Sequence, residues 1–264
     1  MEFMRQYFVH YYEIGPSRKL SLLALLGYLE DIAILHSEAR GMGLDYYESN
    51  RCGWMLVKWD VRIRSLPRFG DTVTVHTRIN GMKSFFADRE FTVTDPDGTV
   101  LVEARANWIL VDTDKRRPMR IPQEQWDRFG VSPESASRCV TIADVRGSRG
   151  AEEGSSEPSV RAFTASNGDI DTNLHVNNLC FIGWALDSLP EDYLFGHEPS
   201  RVMVQYRKEV AHGAEGRVET LILPGCGPSE GGPSEGGLSG SRTLHSLYSL
   251  DAECCSIEID WNTL

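Results

Sequence analysis

Across residues 20–40 the apolar side chains Leu22, Leu25, Leu26, Leu29, Ile32 and Ala33 recur every three or four positions. That spacing lines one face of a helix. Ser17 or Ser21 can cap its start, and Gly41 stops it. Strand patterns follow at residues 54–61, 72–77, 84–94 and 99–111, with Asp95-Pro96-Asp97-Gly98 as a hairpin turn between the last two. The same order then returns: a helix from about residue 175 to 188, ended by Pro190, and strands at 201–210, 216–223, 243–251 and 254–261.

Sliding one helix over the other sets Gly27-Tyr28-Leu29-Glu30-Asp31 on Gly183-Trp184-Ala185-Leu186-Asp187, and Val57-Lys58-Trp59 then answers Val204-Gln205-Tyr206. A helix followed by strands joined through tight turns, used twice, predicts an α+β fold with antiparallel sheets, because parallel strands need long crossovers. The expected organisation is an N-terminal unit over 1–130, a linker over 131–160 and a C-terminal unit over 161–264. Residues 147–159 are rich in Gly, Ser and Glu, and 225–241 carry Gly-Pro-Ser-Glu-Gly-Gly twice. The second stretch reads as a flexible insertion.

The most distinctive polar cluster is Asp171-Thr172-Asn173-Leu174-His175-Val176-Asn177-Asn178, just ahead of Phe181-Ile182-Gly183-Trp184. Carboxylate, amide and imidazole alternate at the entrance to a helix. Such an entrance can hold a carbonyl oxygen on backbone N–H groups while side chains move a proton. That is equipment for acyl transfer or hydrolysis.

Two other motifs fail. Gly227-Pro228-Ser229-Glu230-Gly231 is a formal nucleophile-elbow pattern, but no helix follows the serine. Asp169, Asp171 and Asn173 imitate the start of a calcium loop, which then requires Gly and Glu where this chain has Leu174 and Cys180.

The 264 residues suffice for one large domain or two ordinary ones. No apolar run approaches the roughly 20 residues of a membrane span, and no signal peptide is read at the N-terminus. A cytoplasmic enzyme is expected. The six cysteines lack CxxC spacing and read as reduced, partly buried thiols. A formal net charge of −11 argues against general nucleic-acid binding.

Asp171-x-Asn173-x-His175-Val176-Asn177-Asn178-x-x-Phe181-Ile182-Gly183-Trp184, with Tyr206-Arg207-Lys208-Glu209, resembles the acyl-acyl-carrier-protein thioesterases of the plant FatA/FatB kind, in a shorter bacterial form. Trp54-Met55-Leu56 and the Arg68-Phe69-Gly70-Asp71 turn add to the match. The resemblance implies two tandem hotdog units, each a long helix wrapped by an antiparallel sheet, and hydrolysis of the fatty acyl thioester on acyl carrier protein. It assigns Asp171, Asn173, His175 and Glu209 to catalysis, with no cofactor or metal. Plant members follow this glutamate with a cysteine, and here that residue is Val210.

With no nucleophilic serine or cysteine in place, direct attack by water is the simplest route. Glu209 or His175 can take the water's proton. Asn173 and the helix-start N–H groups would polarise the carbonyl, and Asp171 would orient Asn173 or His175. Taken singly these residues have plainer readings: Asp171 and Asn173 are good helix caps, and strand alternation would set Glu209 on a solvated face with Arg207 and Gln205.

In the first unit Ser17 and Lys19 stand where Asn173 and His175 stand in the second, so the chemistry is expected in the C-terminal half and the acyl chain in the N-terminal half. An acidic carrier protein should meet basic residues, with residues 115–120 or Arg62, Arg64 and Arg68 as candidates. A monomeric pseudo-dimer or a homodimer is compatible with two units per chain. The alternatives are acyl-CoA as substrate, a non-hydrolytic acyl-binding protein, and a dehydratase of the same fold.

Overall fold

The computed structural model describes residues 1–138, 140, 142–143, 157–172, 174–224 and 240–264. It divides into two compact units, Met1–Ala143 and Asp144–Leu264. In the first, strand β1 (Glu2–Phe8) precedes helix α1 (Leu22–Ala39), the short α2 (Leu44–Ser49), strands β2 (Cys52–Ile63), β3 (Thr72–Lys83), β4 (Phe86–Thr94) and β5 (Val100–Asp112), the two-residue β6 (Arg117–Pro118) and α3 (Gln123–Phe129). The second contains β7 (Ser159–Thr164), α4 (Asn178–Asp187), α5 (Glu191–Gly196), β8 (His197–Tyr206), β9 (Glu215–Pro224), β10 (Gly240–Ser249) and β11 (Ala252–Thr263).

The two units share one topology. In the first, the strands lie in the order β1-β3-β4-β5-β2; in the second, β7-β9-β10-β11-β8. The pairings registered within each unit are all antiparallel. The repeat extends to side chains. Tyr28 of α1 stacks on Tyr7 of β1 at 4.5 Å, and Trp184 of α4 stacks on Phe163 of β7 at 4.0 Å.

Helix α1 begins at Leu22, the first of the periodic apolar positions and two residues inside the expected 20–40 span, because Ser21, one of the two expected caps, accepts a hydrogen bond from Ala24 N. The predicted face is the buried one: Leu22, Leu25, Leu26, Leu29, Ile32 and Ala33 all lie inside. It packs against β1 and β3, and α4 packs against β9, β10 and β11. At 18 residues α1 spans about 27 Å, and at 10 residues α4 spans about 15 Å.

Three expectations change. Helix α4 starts at Asn178 and not at 175, because His175 and Val176 enter backbone bridges with Ala211 and Ile170. Strand β8 ends at Tyr206 and not at 210. Beyond it the Arg207 and Lys208 N–H groups both turn to the Cys254 carbonyl, so the ladder stops. The N-terminal strand β1 went unanticipated. It is an edge strand with mostly exposed side chains, which erases the alternation that would announce it. Of the expected insertion, residues 225–239 lie outside the described residues, whereas Gly240 and Ser241 begin β10.

Candidate active site

Asp171 and His175 sit in a closed turn between β7 and α4. Ser166 opens a short 3-10 turn over Asn167–Asp169, and the Asp169 carboxylate accepts from both the Ser166 N–H and its hydroxyl, each at 2.7 Å. The chain then doubles back. Asp171 N donates to the His175 carbonyl at 2.8 Å, Leu174 N to the Asp171 carbonyl at 3.1 Å, and Asn177 N to the Asp169 carbonyl at 2.7 Å.

Closing so tight a loop puts Leu174 at φ +63°, a region bulky residues rarely enter. Strain of this kind, typically about 1–3 kcal/mol, tends to mark functional loops.

Asp171 acts on the backbone of this turn: its Oδ1 accepts from His175 N at 3.2 Å. It therefore fixes where His175 leaves the loop. The second wall is the stretch after β8, where Val176 N donates to the Val210 carbonyl at 3.0 Å and His175 bridges Ala211. This seam carries Glu209 out of the sheet and onto the imidazole. His175 Nε2 lies 3.2 Å from Glu209 Oε2, and the two side chains are 30% and 32% exposed, so water reaches both. Glu209 is solvated as expected, but it lies beyond the end of the strand and within hydrogen-bond reach of His175.

A carboxylate accepts hydrogen bonds and an imidazole N–H donates them, so the 3.2 Å contact suits Nε2 as donor to Glu209. The pair can hold a water or a carbonyl oxygen on one side and accept a proton on the other.

Asn173 lies outside the described residues. Asn177 caps α4, accepting from Leu179 N at 2.9 Å, and its carbonyl takes Cys180 N at 3.0 Å. Those two helix-start donors, expected to serve a carbonyl oxygen, are therefore occupied within the helix.

Neither Val210, where plant members carry a cysteine, nor Cys180 supplies a nucleophilic thiol. Val210 is buried and uses its carbonyl to bind Val176. Cys180 Sγ sits 3.6 Å from Asp169 Oδ1, and burial, reinforced by that carboxylate, pushes the thiol up to about 12. A thiol so raised stays protonated at neutral pH. The role of Asp169 in holding the turn and the thiol was missed, although Ser166-x-x-Asp169 is a capping pattern legible in the sequence.

A shallow cavity of about 150 Å³ in the same unit is lined by Arg161, Phe163, Trp184, Asp187 and neighbours, with none of the candidate residues among them. Asp171, His175 and Glu209 thus lie along an open seam and not in that cavity.

Residues 1–129 match the acyl-ACP thioesterase N-terminal domain, and residues 152–263 match the acyl-ACP thioesterase C-terminal domain. The chain belongs to the acyl-ACP thioesterase family. The chloroplastic palmitoyl-acyl carrier protein thioesterase of Cuphea hookeriana is 29% identical over 244 residues, covering 87% of this chain and 56% of that protein. The chain therefore spans a little over half the length of this curated relative.

Among solved structures, a putative oleoyl thioesterase from Lactobacillus plantarum superposes with a TM-score of 0.86 at 26% identity, covering 100% of this chain and 97% of that one. The 12:0-ACP thioesterase of Umbellularia californica superposes with a TM-score of 0.78 at 23% identity, over 100% and 94%. The thioesterase family fold is thus the tandem hotdog, an α+β architecture in which each unit sets a helix on an antiparallel sheet.

Proposed function

We propose that this family member hydrolyses the thioester of a fatty acyl chain carried on acyl carrier protein, releasing free fatty acid and ending chain elongation. The observation that supports it most is the 3.2 Å His175–Glu209 pair, half-open to water in a site with no competent thiol. Glu209 takes a proton from water as it attacks the thioester carbonyl. His175, held by the Asp171-fixed turn, steadies the water, and Glu209 hands the proton it took to the departing thiolate, which leaves as the free thiol while the carboxylate is restored. Asn173 supplies an amide to the carbonyl oxygen.

The acyl chain is assigned to the first unit, where Met42 and Met82 contribute adaptable side chains to an apolar core with Leu110 and Phe129. The carrier protein is assigned as partner, since the relatives' printed names give that substrate.

The test is fatty-acid release from matched acyl-ACP and acyl-CoA, with wild type beside Glu209→Gln, His175→Ala and Asn173→Ala. Removing a positioned acid or base should lower kcat by about 10²–10⁴-fold. Equal turnover of acyl-CoA by the wild type would sink the carrier-protein assignment. Full activity in Glu209→Gln would remove it as the base.

A further inference from the structure

The catalytic turn has a second copy in the first unit, built on the same backbone but carrying different chemistry. Tyr11–Glu13 repeats the short 3-10 turn, and Glu13 Oε2 accepts from His10 N at 2.7 Å as Asp169 does from Ser166. Gly15 N donates to the Lys19 carbonyl, Arg18 N to the Gly15 carbonyl and Ser21 N to the Glu13 carbonyl, reproducing the three bonds of the catalytic turn. Arg18 holds φ +59° where Leu174 holds +63°. Leu20 N binds the Pro67 carbonyl, and Lys19 bridges Arg68, as Val176 binds Val210 and His175 bridges Ala211. Gly70 and Gly213 then take positive φ at matching places.

On this shared scaffold Gly15, Ser17 and Lys19 replace Asp171, Asn173 and His175. In the same register the buried Leu66 of the first unit occupies the position that corresponds to Glu209 in the second.

The copy has none of the four candidate residue types at the matching positions and carries cations instead. Arg18, Lys19 and Arg68 meet along one seam, joined by the Lys19–Arg68 bridge and by Phe69 N donating to the Arg18 carbonyl at 3.1 Å. Among the described residues neither the Arg18 nor the Arg68 guanidinium enters an ion pair. Two acids of this turn and seam are committed to structure: Asp71 accepts from Arg68 N, and Glu13 accepts from the Tyr28 hydroxyl. Exposed aromatic side chains flank the seam, with Tyr11 78%, Tyr12 80% and Phe69 53% accessible, and Tyr11 packs edge-on to Phe69.

By contrast, two of the basic groups weighed from sequence are already engaged, Arg64 with Glu103 and Lys115 with Asp112. Arginine beside exposed aromatic residues is the composition of protein interfaces, and the two guanidinium groups outside any ion pair, Arg18 and Arg68, suit an acidic one. Their sign opposes that of the whole chain, which carries −11.

We propose that this degenerate turn, with Arg18, Lys19, Arg68 and the Tyr11, Tyr12 and Phe69 rings, is the docking surface for the acidic carrier protein. The assignment rests on the carrier-protein reading above for the partner's identity, and its test is kept separate from turnover. A fluorescently labelled holo-acyl carrier protein is titrated with wild type, Arg18→Glu/Arg68→Glu and Arg18→Lys/Arg68→Lys, with binding followed by anisotropy at low and high salt and folding checked by thermal melts.

The expected result is a Kd at least tenfold weaker for the glutamate pair, near-wild-type affinity for the lysine pair, and a shallower salt dependence in the glutamate pair. An unchanged Kd in the glutamate pair, equal losses in both pairs, or a wild type that does not bind would overturn the proposal. If the Kd shift stands while wild type releases no fatty acid from acyl-ACP, docking is kept and the hydrolase reading fails.

Discussion

His245 gives the fold a measurable weakness toward acid. It lies on β10, 1% exposed, with Nδ1 2.9 Å from Thr220 Oγ1 and Nε2 2.9 Å from Thr243 Oγ1. Burial pushes its pKa from 6.5 down to about 3. The unfolded chain therefore binds a proton across a pH range in which the folded chain does not, so stability is full above the unfolded value and is lost as pH falls toward 3. Linkage over that pair of values gives a loss of about 2 kcal/mol between about pH 7 and about pH 5.

His36, pushed to about 3 by burial and by the charges of Arg89 and Arg40, adds a similar amount. Asp88, raised by burial, works in the opposite sense.

The assay is urea unfolding at both pH values for wild type and His245→Gln. Each protein is compared with itself, so a constant cost of the substitution cancels. The variant should lose about 2 kcal/mol less than wild type over the interval. Identical pH dependence in the two proteins would refute the reasoning.

Three further outcomes are expected. Cys180→Ser should keep most of the hydrolytic activity, and Cys180 should react slowly with iodoacetamide at neutral pH, as a thiol pushed up to about 12 requires. Gly216→Ala should destabilise by about 1–3 kcal/mol in chemical denaturation, because a β carbon there would overlap the Phe163 ring and the backbone carbonyl of Tyr248. Asn107→Ala should raise proteolytic cleavage near residues 140–142, because Asn107 donates to the Val140 carbonyl at 2.9 Å and accepts from Ile142 N at 2.8 Å.

Helix α1 and the Asp95–Gly98 hairpin were legible because each is a local pattern: a three-four apolar period, and a turn whose Gly98 takes φ +84°. The end of β8 was not, because no Gly or Pro marks it; a hydrogen-bond choice at Cys254, far along the chain, ends the strand.

The same distance hid the site's geometry. His175 and Glu209 are 34 positions apart, and only the family likeness joined them before the fold did. Strand β10 misleads differently. Its Ser241, Arg242, Thr243, His245 and Ser246 look solvated in sequence yet are buried. Arg242 survives there because Asp260 at 2.7 Å and Glu258 at 3.1 Å neutralise it.

The doubled turn has a consequence for how such a chain changes under mutation. In a symmetric homodimer every substitution strikes both copies of a surface at once. Here the two copies of the turn are encoded separately, one at residues 10–21 and one at 166–177, and each can vary without the other. One copy is free to lose its imidazole while its twin keeps one. A backbone inherited twice thus permits asymmetry that no pair of identical subunits can encode.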